Sequence, residues 1–336
     1  MQQELEKRRE RLFEGADFGC AIFLNTHNSS PSFAYFAGCQ IDSSYLVLKP
    51  AGGILFVYPM NYEKAKGISH YPVKKIDADA AVLLKKACGK GKIGVCMREI
   101  SAAQFAAAKK AGLRLVGADK RVLSLRAQKS PHEASLMAAS AKIARKILQD
   151  FDPWEYETEK KAAAALKITA LQSGAEACFE PIVASGKNAR FPHHQPTDAK
   201  LSDLVLVDFG VRHKQYCSDF TRCYFKSKST VAFREYEKCQ QLFWRVFETL
   251  GQCSTGKEVA AAAKREMKNM SLPALVHAIG HGVGLEVHEA PSLSDKSEDK
   301  LKIGAVVAIE PASYRKTYGV RFEEMAILTR KGWKLL

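Results

Sequence analysis

A short apolar run that ends in a carboxylate is the first feature of the chain with chemical meaning. Residues 204–207 read Leu-Val-Leu-Val, as a buried strand does, and Asp208 follows them directly. Asp219 comes eleven residues after Asp208. A hairpin with a two-residue loop at His213 and Lys214 would place the two carboxylates directly opposite each other, with Cβ atoms roughly 5 Å apart. Because like charges on facing strands repel, this pair predicts a bound positive charge, most simply a divalent cation.

The same arrangement recurs near the end of the chain. Val306–Ile309 is again an apolar run, and Glu310 follows it. A two-residue loop at Lys316 and Thr317 would place Glu323 opposite Glu310 on one face of a second hairpin. The chain therefore contains two predicted pairs of facing carboxylates.

One imidazole accompanies the four carboxylates. His281 stands in the sequence Gly-His-Gly-Val-Gly, framed by glycines, between the two pairs. Each of these five residues taken alone is more simply interpreted as a turn or capping residue. Together they match the ligands of a hard or borderline metal ion, and they predict two cations that share bridging carboxylates.

The length and composition are those of an ordinary soluble globular protein. The chain has 336 residues, enough for a large core and two domains, with 46% hydrophobic and 26% charged residues. The charged N-terminal stretch does not resemble a signal peptide, and no run approaches the ~18 apolar residues of a membrane span. The nine cysteines are scattered without a Cys-x-x-Cys pair, which favours reduced thiols and a cytoplasmic location.

The net charge of +15 raises the question of a nucleic-acid partner. The lysines and arginines are spread along the chain, and no nucleic-acid-binding motif accompanies them. A solvated basic surface is the simpler interpretation, so we expect neither a nucleic-acid partner nor a membrane partner.

Strand and helix patterns divide the chain into two predicted domains. In residues 1–123, strand-like runs alternate with helical stretches, which favours a small α/β domain with parallel strand pairs. In residues 124–336, Ser130 followed by Pro131 and Glu133 predicts the capped start of a long helix. This second region is expected to have helices outside and the metal-candidate strands inside. Its expected helices are at about 130–151, 155–173, 232–250 and 255–270.

The five candidate ligands and the segments around them resemble the pita-bread metallopeptidases, specifically the Xaa-Pro aminopeptidase and prolidase branch. The order Asp208, Asp219, His281, Glu310, Glu323 is the order of the metal ligands in that family. The matching segments are Val-Asp-Phe-Gly at 207–210, Tyr-Cys-Ser-Asp-Phe-Thr-Arg at 216–222, Gly-His-Gly-Val-Gly-Leu-Glu-Val-His-Glu-Ala-Pro at 280–291, Ile-Glu-Pro at 309–311 and Gly-Val-Arg-Phe-Glu at 319–323.

The resemblance is close over about 130–336 and looser over 1–123, and it implies an α/β (α+β) fold with two parts. Residues 124–336 would form the pita-bread catalytic domain, with a curved antiparallel sheet and outer helices. Residues 1–123 would form a smaller creatinase-like α/β domain.

The resemblance also assigns a role to each ligand. Asp208 would bind one metal through both oxygens, Asp219 and Glu323 would bridge two metals, and His281 and Glu310 would complete the coordination. A hydroxide between the two cations would be the nucleophile, because bound metals lower the pKa of water by many units. Glu310 would also accept the proton of that water as the general base.

Further residues match the substrate-side groups of the family. His193, with His194 as the alternative, and His288 would hydrogen-bond the scissile amide and the tetrahedral oxyanion. His277 matches a substrate-side histidine of the proline-specific branch, and Arg321 resembles the arginine that orients substrate or a neighbouring ligand. A bend at Gly282 or Gly284 is expected to bring His288 to His281. The histidines that match no family position, and are expected at the surface or in turns, are His27, His70, His194 and His213.

The implied activity is a dinuclear metal-dependent aminopeptidase that hydrolyses the Xaa-Pro bond at peptide N-termini. Mn²⁺ or Co²⁺ are the expected cations, with Zn²⁺ or Fe²⁺ as alternatives. A strict Xaa-Pro dipeptidase, acting on dipeptides, is the alternative activity. A non-catalytic binding module on the same fold is a further alternative, although such relatives have usually lost ligands. A proline-containing peptide is the expected partner, and a homodimer is the expected assembly.

Overall fold

The computed structural model describes residues 1–26 and 30–336. These residues form two compact units, residues 1–126 (unit 1) and residues 127–336 (unit 2). His27, which we expected at the surface or in a turn, lies outside the described residues.

The division between the units falls three residues later than the sequence suggested. The expected boundary at 123–124 lies inside the helix Asp119–Arg126, in which Val122 and Leu125 are buried. Because an α-helix places residues three apart on one face, these two side chains belong to a single apolar stripe that continues past the expected boundary. His70 lies in a bend of unit 1 and is partly buried.

Unit 1 is built on one six-stranded mixed sheet. Its strands are β1 Cys20–Asn25, β2 Ser44–Lys49, β3 Gly52–Val57, β4 Val73–Lys75, β5 Lys92–Val95 and β6 Arg114–Gly117. Its helices are α1 Gln2–Phe13, α2 Pro31–Ala37, α3 Tyr62–Ile68, α4 Ala80–Cys88, α5 Ala102–Lys110 and α6 Asp119–Arg126. The strand order is β4-β3-β2-β1-β5-β6. β1 pairs with β5, β5 with β6 and β3 with β4 in parallel, which confirms the predicted parallel pairs.

The helices of unit 2 begin at well-formed caps. They are α7 Pro131–Asp150, α8 Glu159–Gln172, α9 Val231–Thr249 and α10 Gly256–Asn269. Ser130 and Glu133 exchange hydrogen bonds as the predicted capping box at the start of α7. α8 begins at Glu159, later than the expected start near 155, because Thr158 is its N-cap and Pro153–Glu155 forms a separate 3-10 turn.

The strands of unit 2 form four small sheets, and all their pairings are antiparallel. The strands are β7 Glu176–Ala177, β8 Ile182–Ser185, β9 Leu204–Phe209, β10 Val211–His213, β11 Tyr216–Cys217, β12 Phe220–Phe225, β13 Gly280–Gly282, β14 Glu289–Leu293, β15 Val306–Ile309, β16 Ala312–Tyr314, β17 Gly319–Arg321, β18 Glu324–Thr329 and β19 Gly332–Leu335. The strand orders are β11-β10-β7, β12-β9-β8, β14-β13-β15-β18-β19 and β16-β17.

A hydrophobic core of unit 2 lies between these strands and the outer helices α9 and α10. Phe243 of α9 and Val259 of α10 are fully buried in one cluster with Val307 and Ile309 of β15. Burying each such side chain stabilises the fold by about 1.5–3 kcal/mol. Because side chains alternate along a strand, the residue after Ile309 points away from this core, and that residue is Glu310. The packing of the helices therefore selects the face on which the carboxylates lie.

Candidate metal centre

The first carboxylate pair sits on a hairpin whose register differs from the predicted one. Asp208 faces Thr221, so the expected direct opposition of Asp208 and Asp219 is wrong. The loop is Lys214 and Gln215, one residue later than expected, and both residues have positive φ, at 46° and 77°. Two left-handed residues are what a tight type I′ hairpin loop requires. A one-residue change in the loop moves the partner by two residues, which keeps Asp219 on the same face as Asp208 and diagonal to it.

The second hairpin has the predicted register. Its loop is Lys316 and Thr317, closed by a 2.8 Å hydrogen bond from the Arg315 N–H to the Tyr318 carbonyl. The pairing of β15 with β18 and the pairing of β16 with β17 have the same register. Glu310 and Glu323 lie between these two pairings, and in that register they face each other. The second predicted carboxylate pair is therefore confirmed as a facing pair.

The two hairpins and β13 bring the five candidate ligands together. Asp208, Asp219 and Glu323 each offer an oxygen within 4.8 Å of the others. Nε2 of His281 lies 3.6 Å from an Asp219 oxygen, 3.9 Å from a Glu310 oxygen and 3.8 Å from a Glu323 oxygen. Donor atoms of five residues from separate strands and loops thus surround one small volume.

The chemistry of this donor set fits divalent cations. The Oδ1 atoms of Asp208 and Asp219 are buried and accept no hydrogen bond, although buried polar atoms in proteins are nearly always paired. Nδ1 of His281 is 3.2 Å from the Gly282 carbonyl, so its proton lies there and the lone pair of Nε2 faces the carboxylates. Orphaned carboxylate oxygens beside an oriented imidazole lone pair are the arrangement that a bound cation would satisfy.

The shifted pKa values of the cluster also indicate a bound cation. Burial raises the pKa of Glu310 to about 8, and it raises the pKa of Asp219 and Glu323 well above the usual carboxyl range, with neighbouring carboxylates adding to each shift. Burial also lowers the pKa of His281 to about 3 and that of His277 to about 4. The site therefore contains neutral imidazoles and carboxylates that need a compensating positive charge in order to ionise together.

Arg321 connects the two hairpins. Its Nη2 donates to Asp208 Oδ2 at 2.6 Å, and its Nε donates to the Thr221 hydroxyl at 2.9 Å. That hydroxyl donates in turn to Glu323 Oε2 at 2.7 Å. Nη1 donates to the phenolic oxygen of Tyr314 at 2.8 Å. The guanidinium and the hydroxyl together hold Asp208 and Glu323, one from each predicted pair, in fixed positions.

Two members of this network, Thr221 and Tyr314, were missed by the sequence reasoning. Thr221 lies in the Tyr-Cys-Ser-Asp-Phe-Thr-Arg segment at 216–222, and the correct hairpin register would have identified it as the residue that faces Asp208. Tyr314 had no signal in the sequence. Its contacts to Arg321 and His277 depend on how the second hairpin folds against the segment before β13.

His277 and His288 both lie beside the ligand cluster. Nδ1 of His277 is 3.6 Å from Glu310 Oε2 and 2.7 Å from the Ala278 carbonyl, while its Nε2 is 3.1 Å from the Tyr314 hydroxyl. The His288 ring centroid is 4.1 Å from that of His281 at an interplanar angle of 87°. The expected bend is confirmed at Gly284, because the chain bends over residues 284–288 and so returns His288 to His281.

We expected His194 to be a surface residue, and this expectation is wrong. Its Nε2 donates to Glu159 Oε2 at 2.8 Å, and its side chain is only 11% exposed. His193 is exposed and close enough to His277 and His288 to lower the pKa of both. Of the two neighbours, His193 is therefore the one that faces the cluster. His213, also expected at the surface, is half-buried at the end of β10, with its Nδ1 3.2 Å from the Gly174 carbonyl.

The fold and the donor set define a metallopeptidase, and comparison with known proteins gives the family. Residues 135–330 match Metallopeptidase family M24, and the chain belongs to that family. It is 31% identical to the Xaa-Pro dipeptidase of Pyrococcus furiosus over 90% of this chain and 89% of the relative. A second relative, an uncharacterized peptidase of Methanocaldococcus jannaschii, is 33% identical, over 64% of this chain and 65% of that protein.

Solved structures agree with the family assignment. The X-Pro aminopeptidase of Thermotoga maritima superimposes with a TM-score of 0.88 at 26% identity, covering 98% of this chain and 97% of the other. The prolidase of Pyrococcus furiosus superimposes with a TM-score of 0.84 at 27% identity, covering 95% and 96%. The resemblance to pita-bread Xaa-Pro peptidases stated from the sequence is therefore confirmed. Among the described residues, no helix is long and apolar enough to cross a membrane.

Proposed function

We propose that this chain is a dinuclear aminopeptidase that hydrolyses the bond between an N-terminal residue and proline. The observation that carries the proposal is the convergence of the five donor residues, with two buried carboxylate oxygens that accept no hydrogen bond within the protein. Relatives that act on Xaa-Pro substrates, named above, support the choice of substrate. A peptide bond to proline has no N–H, so a site that hydrolyses it must hold the substrate by its other polar groups.

The cations of the proposed enzyme would be held by Asp208, Asp219, His281, Glu310 and Glu323. Mn²⁺ or Co²⁺ are the proposed cations, with Zn²⁺ or Fe²⁺ as alternatives. When bound, two such cations make a hydroxide nucleophile available near neutral pH and polarise the scissile carbonyl.

Glu310 is the proposed general base. Its carboxylate accepts the proton of the attacking water and can deliver it to the leaving proline nitrogen. His277, 3.6 Å away, contacts the Ala278 carbonyl and the Tyr314 hydroxyl, which keep its ring beside Glu310. Burial excludes bulk water from this proton transfer, which strengthens the electrostatic interactions inside the site.

His193 and His288 are the proposed substrate-binding histidines. Both are exposed beside the ligand cluster, and each can donate a ring N–H to the scissile amide or to the oxyanion that forms from its carbonyl. Arg321 does not need to touch the substrate in this proposal. It orients Asp208 and, through Thr221, Glu323, so that both present fixed oxygens to the cations.

Metal analysis combined with a peptide panel tests the proposal. We expect about two divalent cations per chain and hydrolysis of Xaa-Pro-Yaa peptides with release of the N-terminal residue. A strict Xaa-Pro dipeptidase, the activity named for the Pyrococcus furiosus relative, would cleave only the dipeptides of the panel. A chain that binds cations but cleaves no proline-containing peptide would refute the proposed substrate. The cytoplasmic location and the homodimer expected from the sequence remain predictions.

Replacing His288 by alanine is expected to lower the rate without removing the cations. The variant should keep its metal content and melting temperature and lose about 3 kcal/mol of transition-state stabilisation, the usual scale for one oxyanion donor. Steady-state kinetics and metal analysis of His288→Ala measure both quantities, with His132→Ala, an exposed histidine of α7, as the matched control.

The geometry also allows His288 to be a metal ligand. A nitrogen of His288 lies within 4.8 Å of donor atoms of Asp219 and His281, so His288 could itself bind a cation. Parallel loss of metal and activity would make it a ligand. Unchanged kinetics would leave it without a role in the reaction.

A further inference from the structure

A buried carboxylate outside the metal centre gathers an unusual number of donors. Glu159 is the first residue of α8, and it is fully buried. Its Oε1 accepts from the Ser185 N–H at 2.7 Å and from the Asn188 amide at 2.9 Å. Its Oε2 accepts from His194 Nε2 at 2.8 Å, from the Thr197 N–H at 2.9 Å and from the Thr197 hydroxyl at 2.7 Å. None of these five donors is a lysine or an arginine.

Those donors make the buried charge tolerable. Burial alone would raise the pKa of Glu159, but the hydrogen bonds from His194, Asn188, Ser185 and Thr197 outweigh it and hold the pKa below the usual range. The N-terminus of α8 adds its positive end to the same carboxylate. Glu159 therefore remains ionised, and each of its donors is tied to one fixed charge.

All five donors come from one stretch of chain, and that stretch carries His193. We call residues 185–197 the His193 segment. It leaves β8, passes through a 3-10 turn at Gly186–Arg190 and then has no sheet partner until the bridge from Thr158 to Lys200. Two backbone hydrogen bonds, one of them from the Lys160 N–H to the Thr197 carbonyl at 3.1 Å, join the start of α8 to this region. Glu159 thus supplies the fixed point that a sheet would otherwise provide.

The opposite side of the His193 segment meets the metal centre. Arg321 Nη1 donates to the Pro192 carbonyl at 3.2 Å, and the same guanidinium holds Asp208. The Ala189 carbonyl approaches Gly319 so closely that a Cβ there would lie 2.0 Å from the oxygen. The segment is therefore held between Glu159 on one side and β17 on the other, with His193 between the two attachments.

We propose that Glu159 and His194 are positioning residues for His193. The proposal rests on the proposed function, in which His193 binds the substrate, but it concerns the placement of the histidine itself. His194 is fastened to Glu159, so the peptide unit between His194 and His193 has a fixed position and orientation. Without that attachment, the Glu159 bonds closest to His193 along the chain would be those of Thr197 and Asn188, four and five residues away, and the peptide unit beside His193 would be held only by the Arg321 bond to the Pro192 carbonyl. Displacements near 1 Å lower rates by about tenfold to hundredfold.

The test compares two substitutions of His194 that differ in one hydrogen bond. A glutamine amide nitrogen can occupy the place of His194 Nε2 and donate to Glu159, whereas alanine cannot. His132→Ala, on the exposed face of α7, is the control for loss of an imidazole elsewhere. Glu159→Gln is a second variant and should act more strongly, because it removes the charge and turns one acceptor oxygen into a donor that faces backbone N–H donors, Ser185 on one side or Thr197 on the other.

Amide hydrogen exchange of the His193 segment gives a readout that does not depend on activity. We expect the amides of Thr197 and Ser185, whose N–H groups bind Glu159, to exchange faster in His194→Ala than in the wild-type protein. In His194→Gln and His132→Ala they should exchange at the wild-type rate. Unchanged exchange in His194→Ala would overturn the proposal.

Kinetics with an Xaa-Pro-Yaa tripeptide connect the placement to the reaction. In His194→Ala we expect kcat to fall by about tenfold to hundredfold with a smaller change in KM, and His194→Gln to restore most of the rate. In a His193→Ala background the same substitution should have no further effect, because its target is gone. An equal loss in both backgrounds would overturn the proposal. Faster exchange in His194→Ala, in a protein that cleaves no proline-containing peptide, would refute the proposed function and still establish the placement of His193.

Discussion

Replacing Glu310 by glutamine is expected to lower turnover by two or more orders of magnitude while the fold remains intact. The amide cannot accept the proton of the attacking water, and it is a poor ligand for a divalent cation. Its size matches the carboxyl group, so the packing beside His277 and His281 should be kept. Steady-state kinetics with an Xaa-Pro-Yaa peptide, together with metal analysis and the melting temperature, measure the three quantities separately.

The control for this substitution is Glu298→Gln. Glu298 is a glutamate whose side chain is 79% exposed and which pairs only with Lys257 at 3.4 Å among the described contacts. The Glu298→Gln substitution should leave turnover unchanged, since exposed ion pairs contribute little to stability. A Glu310→Gln protein with a near-normal rate and normal metal content would remove Glu310 from the mechanism.

Removing the cations is expected to abolish activity and to make unit 2 less stable as the pH rises from about 6.5 to about 8. Asp219, Glu310 and Glu323 have raised pKa values in the folded protein without cations, with Glu310 at about 8. A carboxyl group whose pKa is raised on folding favours the folded state at low pH, and that contribution is lost as the pH rises through the folded pKa. Each such group changes the free energy of unfolding by at most about 1.4 kcal/mol per pH unit.

The histidines define the lower end of this window. The pKa values of His277 and His281 are lowered to about 4 and about 3 in the folded protein, from an ordinary value of 6.5. A histidine of this kind stabilises the folded state above its unfolded pKa and loses that contribution as the pH falls. Below about pH 6.5 the imidazoles and the carboxylates therefore act in opposite directions, and above it only the carboxylates contribute.

Urea unfolding at the two ends of the window measures the effect. Protein dialysed against a chelator should have a lower unfolding midpoint near pH 8 than near pH 6.5, and saturating Mn²⁺ should remove the difference because the cations balance the ionised carboxylates. The double variant Asp219→Asn, Glu323→Gln should flatten the metal-free dependence, since two of the titrating groups are gone. Equal stability of the chelated protein at both pH values would contradict the raised pKa values and the need for cations.

The sequence by itself determined the identity of the candidate ligands and most of the secondary structure that carries them. Apolar runs ending in Asp208 and Glu310 predicted two strands, and the spacing to Glu323 predicted the loop at Lys316 and Thr317. These features are local, because a run of apolar residues and a tight loop specify a hairpin without reference to the rest of the chain. For the same reason the capping box that begins α7 was predicted from four residues.

The register of the first hairpin was decided by the turn. Both Lys214 and Gln215 adopt left-handed backbone conformations, which non-glycine residues rarely take, and nothing in their identity indicates it. The loop is therefore one residue later than predicted, and Thr221 faces Asp208 in place of Asp219. The set of candidate ligands is unaffected by this error, because a shift of two residues keeps a side chain on the same face of a strand.

Only the tertiary structure decided how the candidate ligands are held and which of the histidines 193 and 194 lies near them. Arg321 joins Asp208 across 113 positions of the chain, and His194 meets Glu159 across 35. Such contacts have no spacing rule, since they depend on which faces of distant strands and helices meet after the core between β15 and the outer helices has formed. His193 and His194 look equivalent in the sequence. In the structure His194 is hydrogen-bonded to the buried Glu159, and His193 is the one that lies near the candidate site.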